Sequence, residues 1–169
     1  MYQKVLVPLD DSDDSRNVVK ALSGLVAEGG EAILFHVISP GRTRETGGFK
    51  VLGTQIEEEA RDRAMVHLNR LSSELSEASI KASCAVVVSK SVSQCIDDYA
   101  SKEGVDLIAM YTSGRTGLAK LLKGSVTADV KKRSSVEVQS FDSAELAALA
   151  LEMSVPRVVI KRPAGSVEL

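Results

Sequence analysis

The sequence predicts an α/β domain with a five-stranded parallel sheet and helices on both faces, followed by an extra C-terminal helix and strand. Three observations predict it. Short continuous apolar runs, such as Lys4-Val5-Leu6-Val7-Pro8-Leu9 and Ala32-Ile33-Leu34-Phe35-His36-Val37-Ile38, have the length and composition of strands buried on both faces. Longer segments with apolar residues at helical spacing alternate with them. Strand and helix in alternation, joined by right-handed crossovers, give a parallel sheet.

Taken in order, the first run ends at Asp10-Asp11, with Pro8 at its edge where a ladder bond can be lost. Ser12 or Asp13 can cap a helix carrying Val18, Val19, Leu22, Leu25 and Val26, which Gly29-Gly30 is expected to stop. The second run ends at Pro40-Gly41. Residues 41–54, with four glycines and mixed charges, read as a mobile loop. A long helix follows, with Ile56, Ala60, Ala64, Leu68, Leu71 and Leu75 on one side. Ala82 to Val88 is the third strand. Val92 to Lys102 is a helix with Val92, Cys95, Ile96 and Tyr99 as its apolar stripe, ended by Gly104. Val105 to Met110 is the fourth strand, and a helix runs from about Ser125 to Lys132. Val136 to Phe141 is the fifth strand candidate. Asp142-Ser143-Ala144-Glu145 has the form of a capping box that opens another helix. Arg157 to Lys161 is a further strand candidate, and residues 163–169 are expected to fray. The domain is thus expected over 1–141, with 142–162 as an extension and 163–169 as a tail.

Composition narrows the function. With 169 residues, 44% of them hydrophobic and 26% charged, the chain suits one globular domain with one core. Aromatics are 4% and Trp is absent, so that core must be aliphatic. A net charge of −2 argues against a broad nucleic-acid-binding face, and Lys131-Lys132-Arg133 fits a helix end better. Cys84 and Cys95 read as buried free thiols, and His36 and His67 share no metal-ligand spacing. No apolar run approaches the roughly 18 residues that span a bilayer, and no signal peptide is visible. A soluble cytoplasmic protein is expected.

Ligands in such sheets lie at the carboxyl ends of the strands, so the ends to inspect are Asp10, Val37 and the segment after Met110. That last segment, from Thr112 to Thr127, is the informative one. Gly114 permits close approach to the backbone, and Gly124-Ser125 begins a helix whose unpaired N–H groups favour an anion. Arg115 and Lys120 can add charge, and Ser125 and Thr127 can add hydroxyl donors. The segment is neither a Walker A loop nor the Rossmann glycine fingerprint.

The segment 110–127 resembles the nucleotide loop of the universal stress protein family, Gly-x2-Gly-x9-Gly-(Ser/Thr). Gly114 matches the second glycine, residues 115–123 the spacer, and Gly124-Ser125 the end. Val5 to Asp10, Leu34 to Val37 and Asp106 to Met110 resemble its first, second and fourth strands, in order over about residues 2–138. The resemblance implies a Rossmann-like fold of the adenine-nucleotide-binding type. It implies that Pro8, Leu9 and Asp10 border the adenosine, that the Val37 backbone meets the adenine, and that Met110 walls the pocket. Gly114, Arg115, Gly124, Ser125 and Val126 would hold the ribose and phosphates. ATP or AMP is the implied ligand, with Mg²⁺ a companion that Asp10 or Asp11 could hold through water. A homodimer through a C-terminal strand, either 136–141 or 157–161, is implied as well.

Three departures stand out. Tyr111 occupies the place of the first loop glycine, Ser89-Lys90-Ser91 replaces a common Gly-x-Pro, and the segment from Asp142 onward has no counterpart. The leading expectation is an adenine-nucleotide-binding regulatory or stress-response protein. The rival is a dimeric interaction module that lost its nucleotide because of Tyr111. No Ser-His-Asp set or paired carboxylate supports an enzyme beyond slow ATP hydrolysis. A phospho-acceptor receiver domain would want an Asp after the third strand, where Val88-Ser89-Lys90 stands.

Overall fold

The computed structural model describes residues 1–10, 15–112 and 126–142, together with 144, 145 and 148. The elements are β1 (Tyr2–Pro8), α1 (Ser15–Leu25), β2 (Val26–Ile38), β3 (Arg44–Thr46), β4 (Phe49–Val51), α2 (Gly53–Glu77), β5 (Lys81–Val88), α3 (Val92–Glu103), β6 (Leu107–Thr112), α4 (Thr127–Arg133) and β7 (Glu137–Asp142). Five strands form one parallel sheet in the order β5-β2-β1-β6-β7. The chain therefore winds outward from β1 to β5, then crosses to β6 on the other side of β1. The order reverses between β1 and β6, and the strand ends diverge there.

The sheet is buried on both faces because its strands carry apolar residues at successive positions. Val5, Val7, Leu34, Leu107 and Ala109 face α1 and α2, where they meet Leu22, Leu68, Leu71 and Leu75. Leu6, Ile33, Phe35, Ile108 and Met110 face α3 and α4, where they meet Ile96, Ala100 and Val130. Most of the predicted stripe of α2 holds: Ala64, Leu68, Leu71 and Leu75 are buried and Ala60 packs at the margin, while Ile56 is half-buried. In α3, Ile96 is buried and Val92, Cys95 and Tyr99 pack around it. Gly104 ends that helix in the left-handed region, with φ 62°.

Two expectations are corrected. Gly29-Gly30 does not stop α1, which ends at Leu25 and passes straight into β2. The pairing of β1 with β2 shifts register between Tyr2↔Val26 and Lys4↔Glu31, so β2 carries unmatched residues there. Gly29, at φ 77°, turns that bulge, and a Cβ on Gly30 would lie 2.7 Å from the Gln3 carbonyl oxygen. The second correction concerns residues 41–54, which hold a hairpin. Arg44–Thr46 pairs antiparallel with Phe49–Val51 across Gly47 and Gly48, whose φ values of 61° and 81° fit a two-residue type I′ turn. At the hairpin base, Gly41 N–H donates to Glu57 Oε1 at 2.7 Å and Gly53 N–H to Thr43 Oγ1 at 3.1 Å.

The far end of the sheet is clamped by Asp106. Its Oδ2 accepts from the N–H groups of Gln3 and Lys4, each at 2.9 Å, while its own N–H donates to the Lys4 carbonyl at 2.8 Å. The box expected at 142–145 forms. Asp142 Oδ1 accepts from the N–H of Glu145 at 2.8 Å, and Glu145 Oε2 accepts from the N–H of Asp142 at 2.9 Å. The cap expected at Ser12 or Asp13, the side chains of Val18 and Val19, the strand candidate 157–161 and the tail lie outside the described residues.

Candidate functional site

A cavity of about 490 Å³ opens at the carboxyl ends of β1, β2 and β6, at the point where the strand order reverses. Pro8, Leu9, Asp10, Val37, Met110 and Val126, all predicted site residues, line it. The other four, Gly114, Arg115, Gly124 and Ser125, lie outside the described residues. The size falls within the usual range for a small-molecule site.

The cavity arises because β1 stops before β2 does. The last paired residues are Pro8 and Phe35, and the last ladder bond runs from Leu9 N–H to the Phe35 carbonyl at 2.8 Å. Beyond it β2 continues to Ile38, paired with β5 alone. In a parallel ladder successive residues direct their N–H and C=O to opposite neighbours. Ile38 turns its carbonyl to β5, where it accepts from Ser89 N–H at 2.9 Å. Val37 therefore turns its N–H and C=O the other way, into the space β1 has left. Among the described residues neither group has a hydrogen-bond partner there.

The regular ladder partner of the Val37 N–H would be the Leu9 carbonyl. That oxygen instead lies 2.8 Å from His36 Nδ1. A carbonyl only accepts, so Nδ1 carries the proton and donates. His36 is buried at 9% exposure and lines the cavity. Sequence reasoning passed over it, although a histidine inside an apolar strand must find a partner when buried. Phe35, Ile38, Ser39, Ala60, Val92 and Ile96 also line the space and were not foreseen. They come from alternate faces of β2 and from two helices, a convergence that only the packing reveals.

Tyr111 lines the cavity too. It is 8% exposed and joins the core between the sheet and the α1–α2 layer, while Met110 joins the opposite core. Asp10 is the only carboxylate among the described lining residues, and no lysine or arginine is among them. The described part of the cavity therefore suits a flat, uncharged ring system and hydroxyl groups. Among the described residues no three His, Cys, Asp or Glu side chains gather as a metal site, and no helix is long and apolar enough to cross a membrane. The free thiols of Cys84 and Cys95 lie on opposite faces of the sheet, and burial pushes both above the ordinary thiol range.

A doubly wound α/β domain with a cleft at its switch point is a common ligand-binding architecture. Residues 1–139 match the sequence profile of the universal stress protein family, and the chain belongs to that family. It is 30% identical over 154 residues to the universal stress protein MJ0577 of Methanocaldococcus jannaschii, covering 82% of this chain and 93% of that one. The solved structure of MJ0577 matches with a TM-score of 0.67 at 28% identity, over 84% of this chain and 96% of that one. A universal stress protein solved in complex with cAMP gives a TM-score of 0.61 at 21% identity, over 83% and 97% of the two chains. The universal stress protein from Archaeoglobus fulgidus in complex with dAMP gives 0.56 at 19%, over 82% and 97%. At such identities the last two establish a shared fold.

Proposed function

We propose that the protein binds an adenine nucleotide, ATP or AMP, in the strand-end cavity and serves as a regulatory protein of a stress response. The observation that carries this reading is the outward N–H and C=O of Val37 inside an apolar cavity. One donor and one acceptor on the same residue's backbone complement the ring nitrogen N1 and the 6-amino group of adenine. Leu9, Val92, Ile96 and Met110 offer apolar surface to the ring, and Asp10 offers a carboxylate to ribose hydroxyls. Relatives of the same fold solved with cAMP and dAMP support the choice of an adenine ligand. Gly114, Arg115, Gly124, Ser125 and Val126 are proposed to hold the phosphates. Mg²⁺ would then rest on Asp10, water and the phosphates themselves, a mode suited to that ion.

β7 ends the sheet and is the proposed edge for a homodimer, and a cytoplasmic setting is proposed with it. Isothermal calorimetry with AMP and ATP, beside mass spectrometry of whatever copurifies with the protein, tests the reading. Binding of either nucleotide is expected. Absence of both heat and copurified nucleotide overturns it.

A further inference from the structure

We infer that His36 is a positioning residue that keeps the Val37 backbone available for a ligand base, an inference that rests on the nucleotide reading above. After Pro8 the first strand leaves the sheet, and its next carbonyl, that of Leu9, has two candidate donors. One is the Val37 N–H, the partner a regular parallel ladder would supply. The other is His36 Nδ1, and the imidazole holds the bond at 2.8 Å. Leu9 still donates its own N–H to the Phe35 carbonyl at 2.8 Å, so the chain is anchored on one side of the residue and diverted on the other.

The diversion has a physical basis. His36 projects from β2 on the same face as Leu34 and Ile38, which pack in the core against α1 and α2. A buried imidazole N–H needs an acceptor. The Leu9 carbonyl meets that need, and no bond from the Val37 N–H to it forms. The Val37 groups then point into the cavity with no partner among the described residues. In this arrangement the imidazole acts on the base through the Leu9 carbonyl and the Val37 backbone. It removes a competitor for the donor that reads the base.

Two variants of the full chain separate this role from bulk packing. His36→Asn retains an amide donor near the place of Nδ1, whereas His36→Leu fills the core without one. By NMR of the ligand-free wild type, the Val37 amide is expected to exchange faster than those of His36 and Ile38. In His36→Leu the Leu9 carbonyl returns to the ladder, and Val37 exchange slows by about tenfold or more. In calorimetry His36→Leu is expected to weaken AMP binding about tenfold, with His36→Asn within about threefold of wild type. Preference for AMP over IMP, whose hypoxanthine reverses the donor and acceptor facing Val37, is expected to fall in His36→Leu and survive in His36→Asn. Equal AMP affinity and equal AMP-over-IMP preference in all three proteins overturn the inference. A Val37 amide as protected as its neighbours in the ligand-free wild type also overturns it. If the wild type takes no AMP, the nucleotide reading fails by itself. The exchange measurement then decides whether His36 holds Val37 open, with slowed exchange in His36→Leu supporting it and unchanged exchange overturning it. Thermal melts confirm that each variant is folded at the temperature of measurement.

Discussion

Phe35 and Tyr99 stack with ring centroids 4.4 Å apart and planes inclined by 28°. Phe35 is fully buried in β2 beside the cavity, and Tyr99 stands on α3, so the pair fastens that helix to the sheet. In a chain with 4% aromatic residues, this contact has few equivalents.

Phe35→Ala should therefore cost about 3–5 kcal/mol, through lost transfer energy and an unfilled hole. Urea melts of the variant and wild type measure it. Tyr99→Phe keeps the ring and should change stability by much less.

From the family's loop pattern, Tyr111→Gly looks like a repair of the loop. The tyrosine is 8% exposed and packed into the α1–α2 core, so its removal empties part of that core. We expect a loss of about 4 kcal/mol, with backbone entropy from glycine added to the cavity term. Urea melts read the stability, and AMP calorimetry on the same sample reads any gain in binding.

Gly30→Ala places a methyl group 2.7 Å from the Gln3 carbonyl oxygen and 3.0 Å from that of Ala27. Backbone atoms give way less readily than side-chain ends. The variant should lose about 1–3 kcal/mol. Exchange of the Lys4 and Val5 amides should rise with it, because the bulge adjoins the start of β1.

Alkylation of the two thiols should be slow at about pH 8.5, the ordinary thiol range. Burial raises both thiols, and the Asp98 charge adds to the effect at Cys95. Only the thiolate reacts. Labelling rates should thus keep rising with pH after a free cysteine peptide has levelled off, and mass spectrometry of iodoacetamide-treated protein follows each site.

The sheet was legible in the sequence because its strands are short unbroken apolar runs, and because α2 repeats Ala64, Leu68, Leu71 and Leu75 at helical spacing. The hairpin was not. Gly47-Gly48 is a known type I′ signal, but the strands beside it are three residues each and carry exposed charges and an exposed Phe49. Gly29-Gly30 misled for a related reason, since glycine marks a bulge as readily as a helix end. That Pro8, Leu9, Asp10, Val37, Met110 and Val126 line the strand-end cavity was readable from strand order and family pattern. His36 was not, because its role depends on where β1 leaves the ladder, and a one-dimensional pattern carries no such register.

The close approach of Gly41 and Gly53 has a practical consequence for protein engineering. A Cβ on Gly53 would sit 2.5 Å from the Gly41 carbonyl oxygen, so the two ends of segment 42–52 lie side by side. Closing a replacement segment across that gap requires little additional chain entropy. The site is a natural port for grafted epitopes or reporter peptides, displayed on a stem the scaffold already grips through Glu57.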